Sequence, residues 1–179
     1  MKGIINKGIQ EMAETLLGAD AWTKIKSKAG CEEPFFAVSQ DYPDEMTIAL
    51  ATAASEVSGM SVDEVMFEYG KFIVPNSLKK QYPAYYALAG NSAQEFLCNM
   101  DTVHENVTRN IPNASPPRFE YEQTPDGKLL MHYKSDRGLC SVLRGLIAGV
   151  GDLFEEELEI RETACGRNGA SHCTFEVSF

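Results

Sequence analysis

The sequence has no secretory leader and no membrane span. No charged segment followed by an apolar one opens the chain, and no stretch approaches the run of about 20 apolar residues that crosses a bilayer. Basic residues are also few. The sequence has 16 Lys and Arg and 26 Asp and Glu, which gives a net charge of −10. Such a surface repels phosphate groups, so nucleic acid and anionic membranes are poor partners. These absences predict a soluble, cytoplasmic protein.

The common signatures of enzymes are absent as well. There is no P-loop, no dinucleotide fingerprint and no recognisable pair of nucleophile and base. Asp101 near His104 is weak evidence for acid–base chemistry, so an ordinary enzyme is a minor alternative. The five cysteines lack an export signal, and we expect them to be reduced thiols or metal ligands. The sequence thus favours a protein that is not an enzyme.

The 179 residues suffice for one domain, which we expect to span 1–179. Apolar residues recur at helical spacing through the first half, and capping-box pairs open helices at Ser61 and Ser92. After Pro117 the period changes to two, which predicts a hairpin and later strands with one amphipathic helix between them. The predicted fold class is α+β, with an N-terminal helical subdomain followed by an antiparallel sheet that has an inserted helix.

Of the three histidines, only His104 lies on the apolar stripe of a predicted helix. We expect that helix to begin at Ser92 and to end at Pro112. The stripe contains Phe96, Leu97, Met100, Val103, His104 and Val107. A lone histidine on such a face is usually a core residue. The alternative is an axial ligand to haem iron, with the haem bound noncovalently because no C-x-x-C-H motif is present.

A second pattern closes the predicted hairpin. Strict alternation would direct Tyr133, Ser135 and Arg137 to one face and His132 to the other. Two hydroxyls and a guanidinium are suited to carboxylates, such as the two propionates of haem. The simpler interpretation is an edge strand with a polar face.

Several motifs together resemble one family. They are Met1–Lys7, Trp22 with Lys28-Ala29-Gly30, Met100-Asp101-Thr102-Val103-His104, Pro116-Pro117, Tyr133-x-Ser135-x-Arg137 with Gly138-Leu139, and Gly145-Leu146. In this order and over almost the whole chain, the sequence resembles the haem–nitric oxide/oxygen-binding (H-NOX) family, which includes the sensor domain of the soluble guanylate cyclase beta subunit.

The resemblance implies a fold, a cofactor and a set of site residues. Haem b would lie between the helical subdomain and the sheet, with His104 as the proximal ligand to iron. Tyr133, Ser135 and Arg137 would bind the propionates, and Pro117 would press on the macrocycle. The residues expected on the distal side are Ile5, Ile9, Ile73, Val74, Val142 and Leu146.

The resemblance also implies how the protein works. Nitric oxide (carbon monoxide is also a ligand in the family) would bind ferrous haem and break the bond to His104, so that its helix moves. Since no output segment follows in the chain, we expect signalling in trans to a histidine kinase or a cyclic-di-nucleotide enzyme. In oxygen-binding relatives a tyrosine donor stands where this chain has Val142. We therefore expect the haem to bind nitric oxide and not oxygen.

Three cysteines suggest a second, metal-binding site. Cys165 and Cys173 flank a predicted turn, and Cys140 opens the preceding helix, so thiolates could converge on zinc. Some relatives carry a zinc cluster of three cysteines and a histidine here. In this chain the matching histidine position is Glu162, so either Glu162 or His172 would be the fourth ligand. The functional alternative is therefore a zinc/thiol redox sensor, and the simpler interpretation is three unrelated thiols.

Overall fold

The computed structural model describes residues 1–111, 116–134 and 137–179. Helices fill the first part of the chain, and one more lies between two strands. They are α1 (Gly3–Leu17), α2 (Ala19–Lys28), α3 (Asp44–Ser58), α4 (Val62–Ile73), a π-helical turn (Val74–Leu78), α5 (Lys79–Gln81), α6 (Pro83–Ala89), α7 (Ala93–Cys98), α8 (Met100–Thr108) and α9 (Cys140–Phe154). Within the described ranges, no helix is both long enough and apolar enough to cross a membrane.

Local signals set several helix ends as predicted. The Ser61 hydroxyl accepts a hydrogen bond from the Glu64 N–H, and the Glu64 carboxylate accepts one from the Ser61 N–H, which forms a capping box at the start of α4. Helix α3 ends at Gly59, whose φ of 78° is in the left-handed region that glycine adopts without strain. Both predictions are confirmed.

The predicted single helix from Ser92 to Pro112 is wrong. The structure has two helices there, α7 and α8, which are separated at Asn99. The backbone of Asn99 has φ −93° and ψ 0°, and its side-chain amide donates a 2.8 Å hydrogen bond to the Ala89 carbonyl. This bond to α6 stabilises the break, so that His104 lies on a separate helix of nine residues.

Four antiparallel strands form one sheet in the order β1-β2-β4-β3. The strands are β1 (Arg118–Gln123), β2 (Leu129–Lys134), β3 (Glu159–Ala164) and β4 (Cys173–Ser178). One face of the sheet is buried in the same hydrophobic core as α9, through Leu129, Met131, Tyr133, Phe175 and Val177. The α+β class, with α9 inserted between β2 and β3, is confirmed.

Helices α4 and α9 approach each other at backbone distance. A Cβ placed on Gly145 would lie 2.0 Å from the Phe67 carbonyl oxygen, and one on Gly149 would lie 2.5 Å from the Lys71 carbonyl oxygen. From the other helix, a Cβ on Gly70 would lie 2.3 Å from the Val142 carbonyl oxygen. Only glycine permits this approach, which fixes the relative position of the two helices.

Replacing Gly145 by Ala should therefore lower the free energy of unfolding by roughly 1–3 kcal/mol, because the new methyl group would separate two backbones. In an open helix the same change would stabilise the protein by up to about 1 kcal/mol. Urea unfolding measures the difference. Gly166→Ala is the matched control, since a Cβ there would make only ordinary contact with Cys173 at 3.8 Å. Equal stabilities for Gly145→Ala and the unmodified protein would contradict the close approach.

Candidate functional site

The ring of His104 lies between α8 and the sheet. It stacks on Phe119 of β1, with ring centroids 5.7 Å apart and planes at 13°. Its Nδ1 atom is buried and has no hydrogen-bond partner among the residues that the structure describes. Burial lowers the pKa of the imidazole, and the Asp101 carboxylate opposes this only in part. His104 is therefore neutral at pH 7, which is the form that binds a metal ion.

Phe119 is the contact residue that sequence reasoning missed. Its ring also contacts Tyr121 and Tyr133, with centroids 6.2 and 5.7 Å away, so a chain of aromatic rings connects His104 with the sheet. The Asp101 carboxylate of α8 accepts a hydrogen bond from the Phe119 N–H, which joins the helix to β1 a second time. The alternation of Phe119 and Tyr121 with polar residues was the signal for an inward-facing pair.

The Tyr-x-Ser-x-Arg motif is only partly as predicted. Tyr133 is buried at the end of β2 with its side chain on the inner face, while Ser135 lies outside the described residues. Strand β2 ends at Lys134, so the alternation does not extend to Arg137 and the prediction of one shared strand face is wrong for it. Arg137 instead lies in the following turn, where its Nε donates a 2.8 Å hydrogen bond to Asp44.

Asp44 at the start of α3 connects Arg137 with the chain's first residue. Its second carboxylate oxygen lies 2.7 Å from the N-terminal ammonium of Met1. The ammonium and the Arg137 guanidinium together hold the pKa of Asp44 below its usual range. Two cations thus share one carboxylate at this end of the sheet, and a second anion beside them would be attracted.

The residues expected on the distal side lie on α1, α4 and α9, which pack together, and on the π-helical turn that follows α4. Gly8 of α1 faces Ile73 of α4, since a Cβ there would lie 2.6 Å from the Ile73 Cδ1 atom. Gly70 of α4 faces the backbone of α9 between Val142 and Leu146. The buried members of the predicted set are Ile9, Ile73, Val74 and Val142, and the partly buried members are Ile5 and Leu146.

One polar group in this region was missed. Tyr69 of α4 is 2% exposed, its ring packs near Gly8, and its hydroxyl is buried without a hydrogen-bond partner among the described residues. Burial raises its pKa, so the hydroxyl stays protonated. A Cβ on Gly8 would lie 3.0 Å from Cε2 of Tyr69 and 2.6 Å from Cδ1 of Ile73, so the Tyr69 ring is a neighbour of the expected distal residues. Tyr69 lies one helical turn before Ile73, so helical spacing could have placed it on the same side of α4 as the expected distal residue.

These side chains fit a haem. A neutral, partly buried imidazole with an unpaired nitrogen is suited to ligate iron, and the apolar helices α1, α4 and α9 suit the macrocycle. The cations at Asp44 suit an ionised propionate. Pro117 directly precedes β1 and lies two residues before Phe119, whose ring stacks on His104.

The three cysteines converge as the sequence predicted. Ligand atoms of Cys140, Glu162, Cys165 and Cys173 all lie within 4.8 Å of one another. The sulfur atoms of Cys140 and Cys165 are 3.6 Å apart, which is too far for a disulfide. Two thiolates on one tetrahedral zinc ion would be about 3.8 Å apart, given zinc–sulfur bonds of about 2.3 Å. The spacing fits a zinc site and also a hydrogen bond between two thiols.

The structure also distinguishes the two candidates for a fourth ligand. Glu162 of β3 pairs with Phe175 of β4, whose side chain is on the inner face of the sheet. A register shift follows Glu162 in β3, and the Glu162 carboxylate lies beside the thiols. His172 is not part of the cluster, because its ring packs against His132. The nearby carboxylate of Glu162 raises the pKa of Cys165, and burial raises those of Cys140 and Cys173.

Known proteins with similar sequences are cyclases. Soluble guanylate cyclase gcy-32 of Caenorhabditis elegans is 29% identical over 154 residues, which are 84% of this chain and 22% of the cyclase. Soluble guanylate cyclase 89Db of Drosophila melanogaster is 24% identical over 173 residues, which are 93% of this chain and 26% of the cyclase. The chain thus spans about a quarter of the length of these relatives.

Solved structures show the same fold. An H-NOX protein from S. oneidensis in the Fe(II)NO ligation state superposes with a TM-score of 0.90, covers 99% of this chain and 98% of its own, and is 21% identical. A protein solved to study haem redox potential and porphyrin distortion is 26% identical, with a TM-score of 0.86 and complete coverage of both chains. The family model for haem–NO-binding domains matches residues 2–162. The chain therefore belongs to the haem–NO-binding, or H-NOX, family of gas-sensor domains.

Proposed function

We propose that this protein, as a single domain, senses nitric oxide through haem b bound at His104. The observation that carries the proposal is the state of His104, which is neutral, partly buried and unpaired at its buried Nδ1 atom on a short separate helix. Ferrous haem, held by His104, would supply an iron atom that binds nitric oxide and that holds its histidine ligand less strongly once the gas is bound. Membership of the haem–NO-binding family supports this chemistry.

The remaining site residues have separate tasks. Arg137, Ser135 and Tyr133 bind the propionates, with Asp44 and the N-terminal ammonium adjusting the charge around Arg137. Pro117 contacts the macrocycle from the His104 side. On the distal side the six apolar residues Ile5, Ile9, Ile73, Val74, Val142 and Leu146 exclude water and offer no hydrogen-bond donor from their side chains.

Release of His104 transmits the signal through α8. This helix is held at its start, by the Asn99 amide on the Ala89 carbonyl and by the first-turn Asp101 carboxylate on the Phe119 N–H of β1. With His104 bound to the haem iron, the imidazole would be a third anchor of α8. Without that bond, α8 would be free to rotate about the break at Asn99. A short helix with two positions is the two-state element that such a switch requires.

The output passes to a partner protein. The curated relatives are guanylate cyclases that are about four times longer, and the matched part is their sensor region. We infer that the chain itself performs no catalysis, binds carbon monoxide as well as nitric oxide, and acts in the cytoplasm. Its partner would be a histidine kinase or a cyclic-di-nucleotide enzyme that contacts the moving α8.

Replacing His104 by Gly should remove most of the haem, because iron would lose its protein ligand, and added imidazole should restore it. Haem content per protein and the Soret absorption band measure the effect. Glu105→Gly is the matched control, since it places glycine in the same helix at an exposed position. Wild-type haem content in His104→Gly without imidazole would disprove the ligand assignment.

The ferrous protein should keep its spectrum in air, because the six expected distal residues offer no hydrogen-bond donor from their side chains. Val142→Tyr should introduce some oxygen binding, as a charge-assisted hydrogen bond is worth about 1.5–3 kcal/mol. Tyr69→Phe removes the buried hydroxyl beside this set, and we expect it to leave the gas response unchanged. An oxygen-dependent spectrum of the unmodified protein that disappears in Tyr69→Phe would identify Tyr69 as the donor and overturn this account.

We further propose that the cysteine cluster binds zinc as an auxiliary site. The grouping of three sulfurs and the Glu162 carboxylate within 4.8 Å supports a site with three thiolates and one oxygen ligand. The family match favours the haem sensor over a zinc/thiol redox sensor as the main function. Zinc at this site would join the start of α9 to β3 and β4.

Protein purified under reducing conditions should contain about one zinc per chain, measured by elemental analysis. Cys165→Ser or Cys173→Ser should each remove it, whereas Cys98→Ser should not, because Cys98 lies outside the cluster. Glu162→His should retain zinc, since it would supply a nitrogen ligand at the same position. A metal-free protein with three intact thiols would refute the zinc proposal and leave the haem proposal unaffected.

A further inference from the structure

The carboxylate of Asp63 joins the start of α4 to both segments that carry the cysteine cluster. Asp63 lies in the first turn of α4. The hydroxyl of Ser141, the second residue of α9, donates a 2.7 Å hydrogen bond to the Asp63 Oδ1 atom. The Arg167 guanidinium donates to both carboxylate oxygens, at 2.7 and 3.2 Å. None of these three residues belongs to the proposed haem site or to the ligand set of the cluster.

The two partners of Asp63 are close neighbours of the thiols. Ser141 follows Cys140 directly. Arg167 lies two residues after Cys165, in the short turn between β3 and β4. The pKa of the Arg167 guanidinium is raised, mainly by Asp63 and to a smaller extent by the Cys140 thiol, which places this cation beside both groups. A cation beside a thiol stabilises the thiolate, which is the form that binds zinc.

The geometry of the ion pair is favourable, although 49% of the Arg167 side chain and 56% of the Asp63 side chain are exposed. Exposed ion pairs usually contribute little to stability, and a bidentate pair of arginine and carboxylate is the exception. Hydrogen bonds from Arg167 and, to a smaller extent, from Ser141 hold the pKa of Asp63 below its usual range. The capping box of Ser61 and Glu64 fixes the turn of α4 that carries Asp63.

From Asp63 onwards, α4 and α9 run side by side in one register. They meet at three places, each four residues after the last. The pairs are Asp63 with Ser141, the Phe67 carbonyl with Gly145, and the Lys71 carbonyl with Gly149. Four residues are about one helical turn, so the two helices run in the same direction and meet once per turn. A displacement at the start of α9 would therefore be transmitted to the end of α4, where Ile73 of the expected distal set lies.

We propose that Asp63 couples the cysteine cluster to α4, so that metal binding at the cluster and the position of α4 stabilise each other. The inference rests on the proposed zinc site and extends its influence to the helix that carries Ile73. Residues that hold metal ligands in place typically change metal affinity by about 10- to 100-fold. Such coupling is reciprocal, so bound metal would in turn hold the first turn of α4 more firmly.

Titration of the haem-loaded, reduced and metal-stripped protein with zinc chloride tests the coupling, with the zinc affinity measured by competition with a chromogenic chelator. We expect about one zinc per chain, and binding that is about tenfold weaker in Asp63→Asn. Asp63→Glu should recover part of the affinity, because it restores the carboxylate. Arg167→Gln removes the other half of the ion pair and should weaken zinc binding as well.

Asp152→Asn is the matched control. The Asp152 carboxylate also joins α9 to α4, since it lies 3.6 Å from the Lys71 ammonium, but it is about three turns beyond Cys140. This variant should bind zinc like the unmodified protein. The Soret band verifies that each variant keeps its haem.

Amide hydrogen exchange in α4 supplies a readout that a purely structural role of Asp63 would not change. Saturating zinc should slow exchange in residues 62–71 of the unmodified protein and of Asp152→Asn. The same addition should change the exchange rates of Asp63→Asn much less, because the link between the cluster and α4 is missing there.

Three results would overturn the inference, and each has a different meaning. Equal zinc affinities of Asp63→Asn and the unmodified protein would refute the coupling and leave the zinc site intact. Weaker zinc binding in Asp63→Asn, with α4 exchange that ignores zinc in every protein, would make Asp63 a local stabiliser only. The absence of zinc from the unmodified protein would refute both the coupling and the zinc site, and would leave the haem proposal unaffected.

Discussion

The approach of α4 to α9 is the constraint on which the other sites depend. Three glycines, Gly70, Gly145 and Gly149, let the two backbones meet where any side chain would separate them. Because α4 is fixed in this way, its residues Tyr69 and Ile73 reach Gly8 of α1, and the three helices form one apolar wall. The first residue of α9, Cys140, is positioned by the same contact beside β3 and β4.

Positive charge is concentrated near one end of the sheet, around Asp44. The chain carries a net charge of −10, yet the Met1 ammonium and Arg137 meet at Asp44 near the end of β2. An acidic protein that binds a dianionic cofactor needs such a local positive region. The partly buried imidazole of His104 is kept neutral because its surroundings disfavour charge. The two ends of the proposed haem site therefore differ in polarity, as the cofactor does.

Local patterns in the sequence predicted the features that local forces determine. Capping boxes, terminal glycines and period-two alternation gave the helix starts, several helix ends and the hairpin. They could not predict the break at Asn99, because the apolar stripe continues through it and the bond that stabilises the break goes to α6. Local patterns could not predict the contact between Arg137 and Asp44 either, since the two residues are 93 positions apart in the chain. The cysteine site was predicted, but the choice of Glu162 over His172 depended on the register of β3 and β4.

The central claim is that nitric oxide releases His104 from iron, and resonance Raman spectroscopy of the ferrous protein tests it most directly. The vibration of the bond between iron and the His104 imidazole should be present before the gas is added and absent afterwards. The same protein under air should retain that vibration. Persistence of the iron–histidine bond in the nitric oxide-treated protein would contradict the account.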